Sequence, residues 1–192
     1  RQRQMCIRDR IYNLADTFFI GRTNNDILVA ALSLATPAFL IFMAVGTIFG
    51  MGGTSVISRA LGQGRTEYAK KVCSFCMWSC VTVGTVLSAL FLVFMDQILV
   101  LIGASADTWE LSKTYLTIVA FGGPFVLISN CYSNVVRAEG RSGKAMMGQL
   151  LGNLLNVILD PIMILVFNWG IAGAAVATVI GNIVGALSLI HI

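Results

Sequence analysis

Asn156 and Asp160 stand one helical turn apart, followed at once by Pro161, inside a stretch from Ala145 to Phe167 that holds no other ionisable residue. In an apolar setting such a pair suits one kind of chemistry: exchange of a proton, or retention of a cation by carboxylate and amide oxygens. A charged side chain at membrane depth costs at least about 2.5 to 3.5 kcal/mol on insertion scales, so an intramembrane acid marks a functional site. Pro161 adds a second feature. It has no N–H to give to the carbonyl near Val157, which can then turn toward an ion or a water. The competing reading is structural: a proline kink whose aspartate is satisfied by a neighbouring helix. Asp16, on the segment 11–21, is the second candidate acid.

The elements that must position these groups are membrane helices. Hydrophobic residues make up 57% of the chain and charged residues 11%, with a mean hydropathy of +0.83, values of a polytopic membrane protein and not of a soluble domain. Residues 11–21 are too few to cross roughly 30 Å of hydrocarbon and read as the tail of a truncated first helix. A second span is expected over 27–53, with Pro37 inside it and Gly46 and Gly50 spaced for close helix packing. A polar loop is expected over 58–71. The third span, 72–95, carries Cys73, Cys76 and Cys80 on one helix face, which reads as buried, inert thiols in the absence of a further ligand nearby. An outer connection over 96–113 leads to a fourth span, 115–136, with Pro124 and a polar patch at Ser129, Asn130, Ser133 and Asn134. A basic loop, 137–144, precedes the fifth span, 145–167. A tight turn at 168–170 opens the sixth.

Both ends look foreign to this pattern. Residues 1–10 resemble a translated sequencing adapter and residues 187–192 its complementary strand, which leaves 11–186 as the expected native part, a piece of a longer protein. Without Arg1, Arg3, Arg8, Arg10 and Asp9, the 13 basic and 9 acidic residues become 9 and 8. A nearly neutral chain gives no reason to expect nucleic acid.

Lysine and arginine set the orientation, because cytoplasmic loops carry the excess. Arg59, Arg65, Lys70, Lys71, Arg137, Arg141 and Lys144 fall on one side, against Arg22 and Lys113 on the other. The first and fifth helices therefore run outward and the sixth returns. At about 1.5 Å per residue, Asp16, Asp160 and Thr178 reach similar depths, roughly 8 to 12 Å below the outer helix ends, so three helices can bring them together. Other chemistry is poorly supported. The glycines around 46–53 and Gly62-Gln63-Gly64 lack the strand and lysine of a phosphate loop, and the single histidine, His191, lies in the C-terminal adapter-like segment.

Five motifs together resemble the first half of a multidrug and toxic compound extrusion (MATE) transporter, over essentially all of 11–186. They are Y-N-L-A-D-T-F-F-I-G at 12–21, I-S-R-A-L-G-Q-G at 57–64, V-R-A-E-G at 136–140, N-x-x-x-D-P at 156–161 and G-A-A-x-A-T at 173–178. The resemblance implies an all-α polytopic fold: the six-helix N-terminal lobe, its first helix truncated, of a twelve-helix, two-lobe transporter. It also implies exchange of Na⁺ or H⁺ for cationic, amphipathic drugs by alternating access, in a bacterial or archaeal cytoplasmic membrane, with no cofactor beyond the coupling ion. The cation site it implies comprises Asp16, Asn156, Asp160 and Thr178, with Tyr12, Asn134 and Pro161 lining the same pocket. The remaining partner would be a C-terminal lobe of the same chain. Two alternatives stay open: a lipid-linked oligosaccharide flippase of the wider superfamily, which would need cationic residues in its cavity, and a membrane enzyme or receptor domain.

Overall fold

The computed structural model describes residues 26–191, and Asp16 and Tyr12 lie outside them. Six α-helices follow one another: α1 Asp26–Gly62, α2 Thr66–Val93, α3 Met95–Leu101, α4 Ala106–Ala138, α5 Ser142–Pro161 and α6 Gly170–His191, with a π-helical turn, Ile162–Val166, after α5. Five of them, all but α3, are long and apolar enough to cross a membrane. Strands do not occur among the described residues.

The spans alternate in direction, and their connections are shorter than composition suggests. The polar stretch 58–71 is almost wholly helical: α1 runs on through Arg59 to Gly62 and α2 begins at Thr66. Polar side chains that look like a loop are here the water-facing ends of helices longer than the bilayer. At about 1.5 Å per residue, the 37 residues of α1 extend well past roughly 30 Å of hydrocarbon. The turn is made by Gly64 at φ +73°, a conformation that glycine adopts without a Cβ clash. Gly140, at φ +78°, makes the turn between α4 and α5 in the same way. The outer connection also carries more structure than expected, since α3 occupies part of it and α4 starts at Ala106. Ser105 and Thr108 form a capping box there, which satisfies backbone N–H groups that an open helix end would leave bare.

α4 is the hub. It packs against α1, α2, α3, α5 and α6 and buries residues on most of its circumference, from Thr108 to Val136. The expected close approach of Gly46 and Gly50 is made to this helix. A Cβ on Gly46 would fall 2.9 Å from the Leu127 backbone, and one on Gly50 2.8 Å from Asn134 Nδ2. Next to this contact, Cys76 and Cys80 of α2 are buried, Cys73 is half-buried, and Cys131 of α4 joins them; all four are free thiols. α6 continues as regular helix to His191, through the residues that resemble an adapter, and buries Leu189 against Gly148.

Candidate cation site

The site is set by how closely α5 and α6 approach. Gly152 and Gly181 face each other, and a Cβ on either would fall 2.6 to 2.8 Å from the other's carbonyl oxygen. Only glycine allows two backbones to meet at that distance. One turn further along α5 from this contact stands Asn156, and one turn beyond that Asp160, while Thr178 lies three residues before Gly181 on α6.

Of the four side chains expected to hold a cation, the three within the described residues are all buried: Asp160 is 0% exposed, Asn156 1% and Thr178 3%. The Nδ2 of Asn156 donates to Thr178 Oγ1 at 3.3 Å, which joins α5 to α6 at the site. Its Oδ1 is buried with no hydrogen-bond partner among the described residues. A buried, unsatisfied acceptor costs about 1 to 3 kcal/mol, a cost that a bound cation or an ordered water offsets. The chemistry of the set fits a hard monovalent cation, since carboxylate, amide and hydroxyl oxygens are its preferred ligands. It equally fits a proton carried on Asp160.

Pro161 acts otherwise than a mid-helix kink. It is the last α-helical residue of α5, and the π-turn begins with the next. With no proline N–H to continue the ladder, the Ile162 N–H turns to Leu159 O, and the Phe167 N–H reaches back five residues to Ile162 O. The chain then reverses through Asn168, at φ +54°, and Gly170, at φ +52°, confirming the tight turn expected there. Gly173 of α6 packs against Met163, where a Cβ would fall 2.9 Å from the backbone. π-turns of this kind cluster at functional positions, and this one starts one residue after the proline that follows Asp160.

Asn134 is not part of this arrangement. Its Nδ2 donates to Asn130 O at 3.0 Å, and its Oδ1 accepts from Arg137 Nη1 at 3.3 Å. It sits against Gly50, near the C-terminal end of α4, whereas Asp160 lies near the C-terminal end of α5. Sequence distance conceals this, because α4 and α5 run in opposite directions.

A cavity of about 140 Å³ extends from Asn156 and Thr178 toward the N-terminal end of α5, lined by α1, α4, α5 and α6. Asn156 and Thr178 form part of its wall, and Asn130, Gln149, Asn153 and Asn182 supply most of the remaining polar surface. Gln149, Asn153 and Asn182 are not among the residues that motif and composition single out. A signal for two of them exists all the same: Asn153 is three before Asn156 and Asn182 four after Thr178, spacings that share a helix face.

Four membrane-length helices packed on a fifth, with a buried acid and amide between the last two, define a polytopic helical membrane protein. The MatE family profile matches residues 8–162, and the chain belongs to that family. A curated relative, the multidrug export protein MepA of Staphylococcus aureus, is 36% identical over 180 residues, which cover 94% of this chain and 40% of MepA. Among solved structures, an inward-facing conformation of a multidrug resistance MATE family transporter of the MOP superfamily superposes with a TM-score of 0.89 at 29% identity, covering 94% of this chain and 41% of that one. An outward-facing conformation also superposes with a TM-score of 0.89, at 28% identity, covering 95% and 40%. The chain thus spans about 40% of the length of the curated relatives it matches.

Proposed function

We propose that this chain is the N-terminal lobe of a secondary active multidrug exporter of the cytoplasmic membrane, in which Na⁺ or H⁺ bound at Asp160, Asn156 and Thr178, with Asp16, drives drug out. The observation that carries the reading is the burial of Asp160, Asn156 and Thr178 at the contact of α5 and α6. An ionised carboxylate in that position is costly unless a cation or a proton accompanies it. Loading and unloading of the cation therefore change the stability of whichever state closes around the site, and drug binding that favours the opposite state completes the exchange. An inward-facing and an outward-facing solved structure match this lobe equally well, which supports a lobe that moves as one body against its partner. The unseen second lobe and the class of drug belong to the proposal.

No described residue lining the cavity is cationic, which argues against a flippase that must hold a lipid pyrophosphate. The test of the exporter reading is drug efflux from proteoliposomes containing the complete transporter, under an imposed Na⁺ or H⁺ gradient. Asp160→Asn should abolish gradient-driven efflux while membrane insertion and monodispersity stay at wild-type levels. Wild-type efflux by Asp160→Asn, with unchanged ion dependence, would remove Asp160 from the coupling mechanism.

A further inference from the structure

Arg137, half-buried near the C-terminal end of α4, spreads its guanidinium over two helices. Its Nη2 donates to Ser133 Oγ at 2.7 Å and its Nη1 to Asn134 Oδ1 at 3.3 Å, both one turn back on α4. The same Nη2 donates to Gln149 Oε1 at 3.2 Å, on α5. The two bonds within α4 remove the freedom that a long side chain otherwise has. Ser133 is itself buried, and Asn134 is held in turn, since its Nδ2 donates to Asn130 O at 3.0 Å. A backbone carbonyl only accepts, so that bond leaves Asn134 Oδ1 as the end that meets Arg137. The planar fork is therefore set on α4 before it reaches across to α5.

The residue it reaches has a particular place on α5. Gln149 precedes Asn156 by seven residues and Asp160 by eleven. At about 3.6 residues per turn these are about two and about three turns, so the three side chains leave the helix along one stripe, within roughly 40° about its axis. A tie at Gln149 therefore fixes the angle of the stripe that carries Asn156 and Asp160. The contact with α6 does not fix that angle alone. Gly152 on Gly181 brings two backbones together with no side chains to interlock, which sets the separation of the axes and leaves the rotation to the groups beside it. Two hydrogen bonds flank the glycine contact along α5: Arg137 to Gln149 before it and Asn156 to Thr178 after it. The first is charge-assisted and so stronger than a bond between neutral groups.

We propose that Arg137 is a positioning residue for the cation site: anchored on α4 by Ser133 and Asn134, it holds Gln149 and thereby the rotation of α5 at which Asn156 meets Thr178 and Asp160 is buried. The inference rests on the exporter reading and deepens it, by naming a residue outside the site that sets the site's affinity for the coupling ion. Arg137 acts on the ion only through α5. Lysine in its place keeps the charge and loses the fork, because an ammonium on a flexible stem does not reproduce the fixed planar donors that meet acceptors on two helices. The consequence is a split between affinity and rate. A loosened α5 turns through angles of which only some complete the site, so the ion binds less tightly, while a site that has been loaded still drives exchange.

The experiment is drug efflux from proteoliposomes containing the complete transporter, measured against the concentration of the coupling cation, for Arg137→Lys, Gln149→Leu, the two combined, and Ser133→Ala. Arg137→Lys and Gln149→Leu should each raise the half-saturating cation concentration about threefold or more, the scale of one lost hydrogen bond, with maximal efflux within about twofold of wild type. The combined variant should be no worse than the more impaired single one, since both cut the same tie. Ser133→Ala keeps the fork and Gln149 but removes an anchor, and it should shift half-saturation in the same direction by about twofold. Thermal unfolding in one detergent identifies any variant that does not fold, and the others carry the test. An unshifted half-saturation in any folded variant would overturn the proposal. So would shifts that multiply in the combined variant, the result expected if Gln149 acts on the ion without Arg137. The exporter reading fails on a different measurement, retained gradient-driven efflux by Asp160→Asn, so the two failures are distinguishable.

Discussion

At the scale of single residues, Asp160 and Asn156 share a helix face but have unequal duties. Asp160 alone carries a charge that a cation can neutralise, and Asn156 bridges α5 to Thr178 of α6 at 3.3 Å. Removing the amide should therefore weaken the site without silencing it. In the complete transporter, Asn156→Ala and Thr178→Ala should each raise the Na⁺ concentration for half-maximal efflux about tenfold, the loss of one hydrogen-bonded oxygen ligand worth about 1.4 kcal/mol. Maximal efflux at saturating Na⁺ should fall much less, and the measurement is the Na⁺ dependence of drug flux from proteoliposomes. An unchanged half-saturation in both variants would take these oxygens out of the ion's coordination. Asp16 is an expectation from family resemblance and lies outside the described residues.

At the scale of elements, the site is positioned by glycine and not by the polar residues themselves. The α5–α6 contact at Gly152 and Gly181 leaves no space for a methyl group, because the nearest atoms are backbone and cannot rotate away. Gly152→Ala should destabilise the protein by about 1 to 3 kcal/mol through overpacking and disturb ion dependence together with it. Gly143, near the start of α5, is open: a methyl group there would meet nothing within 4 Å. Gly143→Ala should be neutral or mildly stabilising through reduced chain entropy in the unfolded state. Thermal unfolding in a single detergent checks the pair. Equal melting temperatures for the two variants would mean that the helix contact is looser than its geometry requires.

At the scale of the whole molecule, charge and direction agree. Arg59 closes α1, Arg65 and Lys70 flank the start of α2, Arg137 closes α4, and Arg141 and Lys144 flank the start of α5, so every one falls at the same end of the antiparallel bundle. That end should be cytoplasmic. Single cysteines at Gly64 and Ser142, in a background without native thiols, should react with a membrane-impermeant maleimide only from the cytoplasmic side, and one at Asp107 only from outside. Reversal of either result would invert the lobe in the membrane. On the proposed two-lobe reading, the 192-residue chain reconstituted alone should show no gradient-driven drug flux.

What the sequence determined by itself was whatever depends on local chemistry and on the bilayer. Apolar runs of membrane length leave the backbone no choice but helix, since no water is there to satisfy it, and an acid within such a run announces its own cost. Asp160, Asn156, the tight turn at 168–170 and the glycine face at Gly46 and Gly50 were legible for that reason. Helix ends were less so: polar residues at 58–71 mark where the chain meets water, which a helix such as α1 passes through without ending. What only the tertiary structure decided was which distant residues share a space. It set Asn134 apart from Asp160, drew Asn130 and Asn182 onto the cavity beside Asn156, brought Cys131 to the thiols of α2, and made Pro161 the last α-helical residue before a π-turn. Those outcomes depend on the rotation and depth of each helix against its neighbours, fixed by contacts such as Gly152 on Gly181 that no spacing within a single helix encodes.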